Sequence, residues 1–283
     1  MISKIDSHVH FWELARGDYS WLTDEMKPIH RDFGVDDFES IRSANNVSQL
    51  VLVQAAPTVD ETRYILELAA KCDFVSGVVG KIDIERGDIA NEQLDEFSRQ
   101  ALFCGIRPML ENMGENRWIE LPGLNATIRR LIQLDLNFEC MVRPGELKEL
   151  TIWLNKFPSL HAILSHAGMP DIKNGEFTYW AERIKHIASE TDVYCKLSGL
   201  TTLAAPDWQA DTLRPYFEHL LSCFGHERLI WGSDWPVMLC AGDYERWCLI
   251  CDELLEELDE SMKRAIYVDN ALGFYKLDRK IKN

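Results

Sequence analysis

No apolar run in this chain approaches the 18 residues of a membrane-spanning helix. The first strand-like segment starts almost at Met1, which leaves no room for a signal peptide, so a cytoplasmic protein is expected. Positive charge is scarce: 30 Lys and Arg stand against 46 Asp and Glu, a net charge of −16. That balance argues against nucleic acid and anionic membrane as partners. It also means that an anionic substrate needs a local cluster of Arg, His or metal. No Gly-rich phosphate fingerprint follows the first strand, which removes the main reason to expect a dinucleotide fold. No G-x-S-x-G elbow is present and no Cys is clearly paired with a His, so water is the expected nucleophile in any hydrolysis. The eight cysteines (72, 104, 140, 195, 223, 240, 248 and 251) are scattered, mostly in apolar stretches, as free thiols are in reducing compartments. Cys248-x-x-Cys251 has redox spacing, but it lies on a helical apolar stripe with Trp247, Ile250, Leu254, Leu255 and Leu258, and no second pair accompanies it. It reads as core packing.

A 46% hydrophobic composition over 283 residues suits a globular chain with a large core. Strand-like segments are expected at 5–10, 49–54, 74–79, 103–108, 137–142, 160–165, 193–197 and 228–232, and they alternate with helical ones. The helices fall at 36–44, 58–72, 89–101, 124–134, 147–157, 177–189, 208–224 and 244–258, with a last helix at 261–275. Thr58 is the expected N-cap of the second helix, with Glu61 three residues on. The 49–54 strand is apolar on both faces, the pattern of a parallel sheet covered by helices. Eight strand–helix units without linker, repeat or low-complexity segment predict an α/β fold, a single (β/α)₈ TIM barrel with an extra C-terminal helix, as one domain over 1–283.

Chemistry in such barrels collects at the C-terminal strand ends. The first strand carries Asp6-Ser7-His8-Val9-His10, and strict alternation would turn Asp6, His8 and His10 to one face. The fourth strand ends in Arg107, the fifth in Arg143 after Glu139 and Cys140, and the sixth in Ser165-His166-Ala167-Gly168. The seventh ends in Lys196-Leu197-Ser198-Gly199 and the eighth in Trp231-Gly232-Ser233-Asp234-Trp235-Pro236. His166 alone reads as a hydrogen-bonded structural histidine, and Asp234 alone as a turn former. Beside His8 and His10 they read as metal ligands or catalytic groups, with Asp234 a general base or ligand. Two or three imidazoles and one carboxylate match a mononuclear zinc site with an open position for water. The planar fork of Arg107 suits carboxylate or carbonyl oxygens. The segment 11–34 is too long and aromatic for a plain connector and reads as a functional loop. Trp12, Trp21 and Trp235 are candidates for the pocket wall or for packing beneath it. His161, His186, His219 and His226 lie away from the expected active end.

Asp6-x-His8-x-His10, Gly105-Ile-Arg107, Leu164-Ser-His166-x-Gly168 and Trp231-Gly-Ser-Asp234-Trp-Pro236 together resemble the amidohydrolase superfamily. The resemblance covers nearly the whole chain. It is most specific to the amidohydrolase-2 branch of sugar-acid and pyrone-dicarboxylate lactonases, to which Tyr194–Gly199 and Glu227–Pro236 are especially similar. It implies that Asp234 and His166 are catalytic and that His8, His10, His166 and Asp234 surround the reacting carbonyl or hold a metal. Arg107, Arg143 and Trp12 are the expected substrate contacts. The branch implies one divalent ion, zinc where there is one, and includes a metal-independent member. The carbamylated lysine of binuclear relatives has no clear counterpart. Sugar lactonases of the branch often have Tyr-Pro-x-x-Leu after the fifth strand, where this chain has Arg143-Pro144-Gly145-Glu146-Leu147, and a His where it has Pro108. Those departures suggest a more anionic lactone or ester. The expected partner is a small anionic or polyhydroxy lactone, with neither nucleic acid nor membrane, and a homo-oligomer is left open. The rival readings are a metal-dependent decarboxylase or hydratase of an unsaturated acid and, more remotely, a non-catalytic metal- or ligand-binding barrel.

Overall fold

The computed structural model describes residues 2–109, 117–121 and 123–277. The expected alternation runs through it. The elements are β1 (Lys4–Val9), α1 (Val35–Ala44), β2 (Val47–Val53), α2 (Val59–Ala69), β3 (Val75–Gly80), α3 (Asp88–Phe97), β4 (Phe103–Ile106) and α4 (Leu124–Gln133). They continue as β5 (Asn137–Cys140), α5 (Leu147–Leu154), β6 (Ala162–Leu164), α6 (Phe177–Glu190), β7 (Tyr194–Leu197), α7 (Ala210–Phe224), β8 (Leu229–Trp231) and α8 (Tyr244–Leu254). All neighbouring strands pair in parallel, in the order β1 to β8. The seam between β8 and β1 is closed just beyond the strands, where Asp234 N donates to His8 O at 2.9 Å and His10 N donates to Trp235 O at 2.8 Å. This is a (β/α)₈ barrel. Several strands end earlier than their apolar runs suggest, because the residues that follow curl out of the sheet to carry side chains over the barrel mouth.

Local chemistry explains the helices. The Thr58 hydroxyl accepts from Glu61 N at 3.2 Å, the cap expected from the sequence. From there Thr62, Ile65, Leu66 and Ala69 repeat at helical spacing and are buried.

Two apolar layers result. Leu50, Leu52 and Val78 pack outward against the helices, while Ile5, Val51, Val53, Val79, Ile163 and Ile230 fill the barrel's interior. The last helix is broken into α9 (Glu260–Arg264), a π-helical turn (Ala265–Asp269) and α10 (Asn270–Tyr275). It does not lie on the outside as the other helices do: Ala271, Phe274, Tyr275 and Leu277 join the interior layer. Asn270 Nδ2 donates to His226 O and Leu229 O, at the start of β8, so α10 closes the end of the barrel opposite the strand C-termini.

The first strand departs from simple alternation. Asp6 pairs with Leu50 and Val9 with Leu52, three residues against two, a β-bulge. Asp6 therefore faces outward with Leu50. Its carboxylate accepts from Ser233 N at 2.9 Å and from the Tyr244 hydroxyl of α8 at 2.7 Å. The expectation that Asp6 shares a face with His8 and His10 is corrected: the extra residue turns those two inward and leaves Asp6 to hold the seam.

Candidate active site

His8, His10, His166 and Asp234 arrive from β1, the turn after β6 and the turn after β8, and they meet over the barrel's interior. Asp234 Oδ1 lies 3.3 Å from His10 Nε2, 3.7 Å from His8 Nε2 and 4.0 Å from His166 Nε2. Each ring has its other nitrogen held from behind. His10 Nδ1 donates to Val53 O at 2.7 Å, which leaves Nε2 bare toward the carboxylate. His166 Nδ1 is 2.9 Å from Ser198 Oγ, and His8 Nδ1 is 3.0 Å from Lys196 Nζ. Among the described residues, His8, His10 and Asp234 form a buried group able to hold a metal, their ligand atoms within 4.8 Å of one another.

The backbone is bent to bring these groups in. His166, Ala167 and Met169 have φ of 51°, 54° and 52°, and Asp234 has φ of 65°, all in the left-handed region. Each such non-glycine residue costs roughly 1–2 kcal/mol. Hydrogen bonds hold the turn after β6: Trp180 Nε1 donates to Ala167 O at 2.7 Å and Met169 N to His166 O at 2.8 Å. Gly199 (φ 67°) lies against the His166 ring, and a Cβ there would come within 2.5 Å of Nδ1.

Burial pushes the ring pKa values down, to about 4 for His166 and well below the usual imidazole range for His8. His10 is lowered by the same cause, against the opposing pull of Asp234. Burial alone would raise Asp234, but His166, the His10 hydrogen bond and the Arg107 guanidinium outweigh it and hold the carboxyl below its ordinary value. At neutral pH the cluster is neutral imidazoles around one carboxylate. That donor set suits a divalent ion and equally suits a general base.

Arg107, just past β4, is buried beside them. Its Nη1 is 3.1 Å from His8 Nε2, and its Nη2 donates to Gln54 O at 2.5 Å while Gln54 Nε2 donates back to Arg107 O. Its Nε is buried without a partner among the described residues. Arg143 is exposed on the rim. A cavity of about 600 Å³ opens above the cluster, and it is lined by Arg107, Arg143, His10, His166 and Asp234. Its walls are largely apolar, with Trp21, Met26, Met109, Met141, Met169 and Leu203 among them. That volume is in the range of small-ligand sites.

Trp12 does not line this cavity. It is fully buried, with Nε1 donating to Arg31 O at 2.7 Å, and Trp21 provides the wall, its own Nε1 bonded to Ala55 O at 2.7 Å. Trp235 is likewise buried, against Phe33 and Phe38. The 11–34 segment folds over the end of β1. It is pinned where the Tyr19 hydroxyl donates to Glu61 at 2.8 Å, and it brings Trp21 and Met26 to the pocket. The sequence pattern assigned no role to Gln54, which closes an apolar strand, or to Ser198, which ends the seventh strand beside Gly199.

The amidohydrolase family profile (Amidohydro_2) matches residues 5–277. The chain belongs to the amidohydrolase family. This amidohydrolase is 36% identical over 283 residues to an L-fucono-1,5-lactonase of Burkholderia ambifaria, an alignment covering 99% of this chain and 97% of the relative. An L-fucono-1,5-lactonase of Burkholderia multivorans is 28% identical, covering 97% and 96%. A crystal structure of an amidohydrolase from Burkholderia multivorans with bound zinc has a TM-score of 0.89 to this amidohydrolase at 28% identity, covering 97% of this chain and 99% of that one. Among the described residues no helix is long and apolar enough to cross a membrane.

Proposed function

We propose that this amidohydrolase opens a sugar-acid lactone, or a closely related carboxylic lactone, by attack of water. The observation that carries the reading is the Asp234 carboxylate, ringed by His10, His8 and His166 at 3.3–4.0 Å on the floor of a cavity that also holds Arg107. Full-length similarity to lactonases supports the substrate class.

Asp234 is the general base. It takes a proton from water as the oxygen attacks the lactone carbonyl carbon. It then returns that proton to the ring oxygen as the carbon–oxygen bond of the tetrahedral intermediate breaks, giving the hydroxy acid. His166 and the Arg107 guanidinium stand where negative charge develops on the carbonyl oxygen, and a charge buried among neutral imidazoles meets little competing water. Arg143 at the rim adds a second cationic group, which favours a substrate carrying a carboxylate or several oxygens. The methionine-rich wall favours an apolar face on the same substrate.

His8, His10 and Asp234, with His166 beside them, are the residues that would hold a divalent ion, and zinc is the favoured ion, as in the relative above. When bound, the ion would polarise the carbonyl as a Lewis acid and lower the pKa of water. A cytoplasmic setting is supported by eight cysteines that are all free thiols.

The test is a hydrolysis screen over aldonolactones, aldarolactones and pyrone carboxylates in a pH-stat, with and without chelator. Acid release in step with lactone consumption is expected. Release of CO₂ in place of acid, or no turnover across the panel, overturns the assignment.

A further inference from the structure

Beneath His8, inside the barrel, lies a charged group that hydrolysis does not call on. Lys196 of β7 and Glu139 of β5 are both fully buried, with Nζ 2.6 Å from Glu139 Oε1. Lys196 Nζ also donates to Ser7 O at 2.9 Å and lies 3.0 Å from His8 Nδ1. Glu139 Oε1 accepts from the Tyr275 hydroxyl at 2.7 Å, which ties the pair to α10 at the barrel floor. Val79, Ile163 and Ile230 fill neighbouring positions in this interior with no charge at all. An apolar pair of similar volume would hold the barrel at least as well, because removing two ions from water costs much of what their attraction returns.

We propose that Lys196 and Glu139 are positioning residues for His8. The other two rings are held from behind by neutral groups, the Val53 carbonyl and the Ser198 hydroxyl. Only His8 is held by a charged side chain, itself fixed by a carboxylate and a backbone carbonyl. The ammonium can only donate, so Nδ1 accepts and the neutral ring keeps its proton on Nε2, which faces Asp234 Oδ1 at 3.7 Å. Groups bonded to the rear nitrogen set the ring orientation of histidines in metal and catalytic sites. Tyr275 extends that support to the C-terminal helix, so the floor of the barrel and the reacting centre are mechanically joined.

The inference rests on the lactonase reading for its substrate but not for its second readout, which is zinc affinity measured by chelator competition. The double variant Lys196→Met with Glu139→Gln leaves no buried charge and keeps a partner for Tyr275, so it is expected to fold with a melting temperature near wild type. Its kcat on the best lactone should fall about a hundredfold with KM little changed, and its zinc affinity should not fall, because without the ammonium the ring is free to move its proton to Nδ1 and offer Nε2 to the metal. Tyr275→Phe keeps both charges and covers the case in which the double variant fails to fold. It should lower kcat several-fold at constant KM. A folded variant of either kind with wild-type kcat, or a double variant with zinc affinity lowered about tenfold or more, overturns the proposal. If no lactone is turned over by the wild type, zinc affinity alone decides between these outcomes.

Discussion

His10 Nε2 stands 3.3 Å from Asp234 Oδ1, and it can do so because its other nitrogen is committed to Val53 O at 2.7 Å. The contact crosses the seam where the first and last strands of the barrel meet. The reacting centre is thus built at the closure of the fold, from residues near opposite ends of the chain.

Replacing Asp234 by Asn keeps the shape of the side chain and removes its capacity to take a proton. The variant should fold normally and lose about 10²- to 10⁴-fold in kcat on the best lactone, the usual contribution of a general base. Initial rates in the pH-stat, alongside a thermal melt, check it. Wild-type turnover in the folded variant would exclude Asp234 as the base.

Zinc should stabilise the wild type and not a His10→Ala variant. At about a hundred times its Kd, a ligand that binds only the folded state adds about 2.7 kcal/mol. Melting curves with and without zinc, together with elemental analysis of the purified proteins, measure the difference. An equal rise in both proteins would remove His10 from the ligand set.

Arg107→Met should lower kcat/KM by about tenfold to a hundredfold, the range for loss of about 1.5–3 kcal/mol in a hydrogen bond to a charged group. Gln54→Ala, which removes the side-chain contacts to Arg107 but keeps the backbone carbonyl that Nη2 donates to, should act in the same direction and more weakly. Steady-state kinetics on lactones with and without a carboxylate separate recognition of the carbonyl from recognition of a distal anion.

Glu61 pins the 11–34 segment, and burial raises its pKa from 4.5 to about 7, against the opposing effects of Ala55 N–H, the Tyr19 hydroxyl and Arg16. The folded state therefore keeps a proton that the unfolded chain has already lost. That contribution is fully present below about pH 4.5, declines as pH rises and is gone above about pH 7. The loss is on the order of 3 kcal/mol. Glu61→Gln should remove this part of the pH dependence, so the difference in melting temperature between variant and wild type should grow in the variant's favour from pH 4.5 to 7. A constant difference would show that Glu61 does not titrate in this window.

Much of this molecule follows from local pattern. Apolar runs such as 49–54 and 74–79 can be satisfied only when both faces are covered, so eight strand segments alternating with amphipathic helices determine the barrel. A barrel in turn determines that His8, His10, Arg107, His166 and Asp234, each at or just past a strand's C-terminal end, share one mouth. The Thr58 cap was legible for the same reason: its partner lies three residues away.

Other features depended on partners that no local pattern specifies. Asp6 looks equivalent to His8 in the sequence, but one extra residue in β1 sends it to Ser233 and Tyr244. Trp12 and Trp21 look interchangeable, and only the folding of the 11–34 segment buries the first and gives the second to the cavity. The last helix reads in the sequence only as an extra C-terminal one, yet Phe274 and Tyr275 enter the barrel because its open floor is the apolar surface left to bury. Lys196 and Glu139 lie on different strands, and barrel closure across β5 and β7 is what makes them a pair behind His8. Periodicity records which face of an element is buried. Which residues meet across that buried space is decided by bulges, closure and packing, and that meeting is where the chemistry of Asp234 is assembled.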